Sequence, residues 1–233
     1  MQFLEDANYN WMDMLNFNER PFRASFVPAK VWKDLDNYRN DAKGLSNYFR
    51  KWRTKIDWRE CKKQSPYIWV GGEYDPEERQ CQINIYTKNY DKFKFTDSTW
   101  KRFKFKLIQT EMHELIHFMQ YDRRSDEYSG YILPYRKVDH ARKNEEREYL
   151  SHFDEIQAYA HCILLEFKVF RPNVPVETLI SRAKTNKDSK CLHYILQTFN
   201  YDYQRNHAIP KLMTHILKWE RKYQKTIRAS KRS

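Results

Sequence analysis

The sequence predicts an α+β fold, predominantly helical, with one small twisted antiparallel or mixed sheet packed on a long helix. Three observations predict it. Apolar residues recur near 3.6-residue spacing through most of the chain. One stretch, residues 67–87, switches instead to β-rich runs. Only four glycines, at positions 44, 71, 72 and 130, occur in 233 residues, so tight turns are scarce and helix is favoured.

The elements follow in order. Residues 1–27 mix aromatics with Asn and Pro and read as irregular or short helix. From Val31 to about Glu60 the spacing of Val31, Leu35, Tyr38, Leu45, Tyr48, Phe49, Trp52 and Ile56 is helical, with Gly44 separating two helices. Tyr67–Val70 and Gln80–Thr87 read as strands, with Gly71-Gly72 and Asp75-Pro76 as the turn chemistry between them, and "KFKF" at 92–95 as a further short strand. A long helix capped at Thr96, Asp97 or Ser98 carries Phe103, Leu107, Ile108, Met112, Leu115, Ile116 and Met119 to about Gln120. Residues 122–148 are charged and loop-like, with the hydrophobic insertion "SGYILPY". Helix resumes near Ser151 through "HFDEIQAYAHCILLEF", Pro172 and Pro175 break it, and further helices are expected at 176–185, 189–200 and 209–228. The expected organisation is a basic helical region over 1–64, a central core over 65–170 and a helical region with a basic tail over 171–233.

Composition bounds the class. Hydrophobic residues are 40% of the chain and aromatics 16%, enough apolar area to fold. The net charge of +12 favours anionic partners. The cysteines, at 61, 81, 162 and 191, form no C-x-x-C pair and read as free thiols in a reducing compartment. The start, "MQFLEDANYNWMDML", has no basic segment leading into an apolar one, and no run of 18 apolar residues occurs. The expectation is a cytoplasmic protein, or one of a host cytoplasm or virion, with no membrane partner.

The stretch "IQTEMHELIHFMQYD", residues 108–122, carries the chemistry. At about 100° per residue, Ile108, Met112, Leu115, Ile116 and Met119 form one apolar stripe, and His113 and His117 fall about 40° apart beside it. Two imidazoles at i and i+4 can each give a ring nitrogen to one Zn²⁺ ion, while the adjacent Glu114 stays off the metal and reaches its water. A carboxylate there takes the water's proton and delivers it to a leaving amine. With eight histidines in the chain, random order produces this pattern only about 0.02 times.

A hydrolytic zinc site takes three protein ligands, so a third is expected downstream. Glu155, on the helix start in "SHFDEIQAYA", is the favoured candidate, because Phe153, Ile156, Ala158, Ala160, Ile163 and Leu164 surround it with apolar sequence and a buried carboxylate needs a partner. Ala158, one turn on, is small enough to let another helix approach. His152 and His140 are the alternatives.

HELIH together with a helix bearing DEIQAYA resembles the gluzincin branch of zincin metallopeptidases, and is loosely similar to metallopeptidases of the ImmA/IrrE type. The resemblance spans roughly residues 67–165. It implies a zincin-like core, one Zn²⁺ per chain held by His113, His117 and Glu155, Glu114 as general base and acid, and a protein or peptide substrate. It also implies an edge strand that pairs with extended peptide, for which "INIYT" at 83–87 is the candidate. The chain departs from many gluzincins in having Tyr159 where an Asp would follow the ligand glutamate. Tyr159, His161, His193 and Tyr194 are the candidates for a donor to the developing oxyanion.

The basic stretches, residues 43–63 and the last helix, bring a second class of function into view. The last helix and tail hold Lys211, Lys218, Arg221, Lys222, Lys225, Arg228, Lys231 and Arg232 against Glu220 alone. They suggest nucleic-acid contact, with Trp52 and Trp58 either stacking on bases or turned into the core, the latter favoured by their helical spacing. The competing readings are a non-catalytic zincin-like nucleic-acid or virion protein, and a protease resembling the SprT-like DNA-dependent proteases, whose third ligand is a histidine.

Overall fold

The computed structural model describes residues 26–61, 68–87, 94–125, 143–185, 188–202 and 206–230. The expectations for residues 1–25, for "SGYILPY" and for His140 lie outside the described residues. The fold is mixed α+β, mostly helical, with one three-stranded mixed sheet among the described residues. Two compact units divide the chain at Phe118/Met119, within one continuous helix.

In the first unit, helix α1 (Pro28–Asp34) opens on Pro28, whose fixed φ suits a first helical position. A 3₁₀ turn (Leu35–Tyr38) follows, and then Asn40 at φ +66°. Asp41 caps α2 (Ala42–Phe49) by accepting from the Gly44 backbone N–H at 2.8 Å. Gly44 therefore lies inside α2 and does not separate helices: a Cβ there would sit 2.1 Å from the Asp41 carboxylate. The separation falls at Asn40, whose left-handed backbone ends the preceding turn.

Residues 54–60, expected to continue the helix, form strand β1 (Thr54–Glu60). Arg53, at φ +61°, redirects the chain into it. Trp52 and Ile56 fit a helical i, i+4 pair, but Thr54, Ile56 and Trp58 also alternate, and the alternation wins because Thr54 and Ile56 are buried beneath a sheet. Strand β2 (Trp69–Asp75) contains both Gly71 and Gly72, so these are strand residues and not the expected turn. The turn is 76–79, held by Asp75 Oδ1 accepting from the Glu77 and Glu78 backbone N–H groups at 2.9 and 3.0 Å.

Strand β3 (Gln80–Thr87) lies in the middle, in the order β1-β3-β2. It runs parallel to β1, from Thr54↔Cys81 to Glu60↔Thr87, and antiparallel to β2, from Trp69↔Tyr86 to Asp75↔Gln80. "INIYT" is thus paired on both sides and cannot serve as the expected peptide-binding edge. Lys94 and Phe95 form no strand; Phe95 is buried against Trp100 and Phe103, with ring centroids 4.8 Å from each.

Helix α3 (Asp97–Ser125) starts where expected, with the Thr96 hydroxyl accepting from the Thr99 N–H at 3.3 Å, and runs five residues beyond Gln120. One face of the sheet rests on it. Thr54 donates to Glu111 at 2.6 Å, Tyr74 meets Phe118 at 5.5 Å and Trp58 meets Phe103 at 6.3 Å. Trp52 is buried among Phe26, Tyr48 and Phe49, while Trp58 is half-buried.

The second unit holds α4 (Lys143–Ser151), α5 (Phe153–Phe170), α6 (Val176–Ser181), α7 (Lys190–Thr198) and α8 (Ala208–Ser230). Helix α4 replaces part of the expected charged loop; Leu150 anchors it in the core, while its first-turn Glu145 and Glu146 complement the helix dipole. Helix α5 is buried almost all round, the signature of a central helix. Its Ile156, Ala160, Ile163, Leu164 and Phe167 share a core with Ile209, Leu212 and Ile216 of α8. No described helix is long and apolar enough to cross a membrane.

Candidate metal centre

Helix α3 places His113 and His117 on one side by its own periodicity. Their rings stand 4.7 Å apart at 77°, and their Nε2 atoms are 3.1 Å apart. A tetrahedral Zn²⁺ with Zn–N distances of about 2.0–2.1 Å needs donor atoms separated by about 3.3 Å. The pair is therefore close to ligand spacing, and the same distance also suits an N–H···N bond between one protonated and one bare ring nitrogen.

Glu155 lies in the first turn of α5, where the helix dipole favours a carboxylate. The ligand atoms of His113, His117 and Glu155 all lie within 4.8 Å of one another, and this is the one group of its kind among the described residues. Two imidazoles and one carboxylate make a three-ligand set of the sort that leaves a fourth position open. His113 is 9% exposed, His117 4% and Glu155 3%, so the most accessible ring is that of His113.

Gln120, one turn beyond His117, fastens the end of α3 to α5. Its Nε2 donates to the Asp154 carbonyl at 3.2 Å and to Gln157 Oε1 at 2.9 Å. His152, the alternative third ligand, is the residue before α5; its side chain is 40% exposed and lies 3.9 Å from Asp154. It is not part of the three-residue group.

Glu114 stays out of that group and turns toward β2. A Cβ on Gly72 would lie 2.5 Å from Glu114 Oε1 and 2.7 Å from Thr110 Cγ2. Gly72 is thus the place where the strand comes close enough to the carboxylate that only a hydrogen fits. Sequence reasoning missed it, because a Gly-Gly pair reads as a turn.

A second missed residue is Glu111, fully buried one turn before Glu114. Burial pushes its carboxyl up to about 8, against a smaller opposing effect of the Thr54 hydrogen bond. Cys81 faces the same region from β3. Burial first, then the charges of Glu111 and Glu114, push its thiol well above the usual range, so it is no nucleophile at neutral pH.

Each of the four candidates for an oxyanion donor has neighbours of its own, and Tyr159 packs against the core shared by α5 and α8. Tyr201 Oη and His193 Nδ1 are 3.0 Å apart, Tyr194 donates to Glu146, and His161 packs edge-on to Trp219 at 4.8 Å. Tyr159 sits one turn after Glu155 on α5. Burial, and then the Glu155 charge, hold its phenol well above its ordinary value, so it keeps its proton.

Comparison with family models, with curated proteins and with solved structures returned no match.

Proposed function

We propose that this chain is a zinc-dependent metallopeptidase with a zincin-like core. The observation that carries the reading is a division of labour between two carboxylates. Glu155 converges with the paired imidazoles, and Glu114, adjacent in sequence to one of them, does not. His113, His117 and Glu155 would hold the metal. When bound, Zn²⁺ supplies a Lewis acid that polarises a carbonyl and lowers the pKa of water toward about 7.

The protein's own groups do the rest. The Glu114 carboxylate takes a proton from the attacking water as the new C–O bond forms. It then delivers that proton to the amide nitrogen as the C–N bond breaks. Gly72 leaves this carboxylate room to stay beside the strand. Because β3 is central, β2 becomes the strand for main-chain pairing with an extended peptide: it bonds to β3 on one side and carries Gly72 against Glu114.

Metal analysis of freshly purified, unchelated protein together with cleavage of a peptide library tests the reading. Stoichiometric zinc and hydrolysis are expected. Glu114→Gln should retain the zinc and lose the hydrolysis. Zinc far below one per chain, or full activity in Glu114→Gln, would overturn it.

A further inference from the structure

Helix α8 carries a feature that the metal centre does not use. At about 100° per residue, Lys211, Lys218, Arg221, Lys222 and Lys225 fall within one arc of about 100°. All five side chains are exposed, and so is Thr214 within the same arc. The arc contains no acidic residue. Glu220 points to the opposite side, where its carboxylate accepts from Lys168 at 2.7 Å, both side chains being largely covered. The five charges therefore form a row, with no acid of the same helix among them, on a helix whose other face is fixed.

We infer that this face of α8 docks the phosphate backbone of duplex nucleic acid, without reading its sequence. From Lys211 to Lys225 the helix advances about 21 Å, at about 1.5 Å per residue. At about 3.4 Å per phosphate along one strand of a duplex, that length covers about six phosphates. Five cations along one rigid line match such a row of charges.

The other anionic occupants fit less well. A single strand binds by stacking bases on aromatic side chains, and the arc has none. Trp219 is turned inward, donating to the Gln157 carbonyl at 3.2 Å, and Tyr223 is buried. An anionic membrane is held by an amphipathic helix that inserts its apolar side, but Ile209, Leu212 and Ile216 are already in the core with α5. What α8 offers outward along this arc is five cations and Thr214.

The inference does not rest on the metal centre and is tested separately. The full chain is titrated into a labelled duplex of about 20 base pairs, of arbitrary sequence, across a salt series, with anisotropy as the readout. Log K should fall against log salt with a slope of about −3.5 to −4.5, and a second unrelated duplex should bind equally well. Lys218→Glu/Arg221→Glu/Lys222→Glu should weaken binding by at least about tenfold and bring the slope to about −2. The pair Lys218→Gln/Lys222→Gln, a milder change, should lower the slope by about 1.8 and guards against misfolding of the triple variant. Glu114→Gln should bind duplex as the parent does. Unchanged duplex binding in both variants would overturn the inference. So would an absence of duplex binding at low salt, tighter binding to a single strand of the same length, or binding to phosphatidylserine vesicles in preference to duplex.

Discussion

The Gly72 Cα hydrogen occupies the place where a Cβ would meet Glu114 Oε1 at 2.5 Å. Contacts that short are resolved by movement, and Thr110 Cγ2, at 2.7 Å from the same point, blocks one way out. Gly72→Ala should therefore displace the proposed general base while leaving the proposed metal ligands in place. The expected outcome is a loss of kcat/KM of about 10–100-fold with unchanged zinc content, measured by steady-state peptide hydrolysis and metal analysis. Gly71→Ala, where nothing lies within 4 Å, is the control and should be active.

The proposed ligand set makes a sharper demand on Glu155. Glu155→Gln should lower zinc affinity by at least about 100-fold, since even groups that only support a metal ligand are worth about 10–100-fold. His152→Ala should leave it unchanged. Competition titration against a chelator of known affinity measures both.

Glu166 is a buried acid with a structural task. It accepts from Ser189 Oγ at 2.7 Å and from the Cys191 backbone N–H at 3.0 Å, securing the N-terminus of α7 to α5. Glu166→Ala leaves the buried Ser189 hydroxyl and the part-buried Cys191 N–H without that acceptor. It should cost about 2–4 kcal/mol in urea denaturation, and Glu166→Gln clearly less.

His215 links stability to pH. Burial first, and the Lys218 charge second, lower its pKa from 6.5. The unfolded chain then takes up a proton that the folded chain refuses. The stability contribution is full above about pH 6.5 and is lost as the pH falls from there toward the lowered folded value. Thermal melts at pH 7.5 and 5.5 should show a larger drop in Tm for the parent than for His215→Leu. Equal drops would remove His215 from the acid sensitivity.

The imidazole pair was legible because its geometry is local: four residues on a helix fix the spacing whatever the rest of the chain does. Glu155 was legible for a related reason, an acid set in apolar helical sequence. Gly72 was not, because what it needs is a side chain from 42 positions further along, and two adjacent glycines look like a turn until that partner is known. Strand β1 was misread because Trp52, Ile56 and their neighbours satisfy both the helical and the alternating period. The choice is made by β3, which pairs with Thr54 through Cys81. Strand order is likewise a tertiary fact, so "INIYT" could be recognised as a strand but not as the central one. Glu111 read as an ordinary helix residue, since only the arrival of Thr54 explains how it can be buried.

Cys81 lies sealed on the helix-facing side of the middle strand, while Cys61 and Cys191 are partly accessible. An alkylating reagent can claim the sealed thiol only after the strand has parted from the helix above it. Its rate of labelling, followed residue by residue in a mass spectrometer, is thus a native clock for how often the sheet opens, and needs no engineered probe.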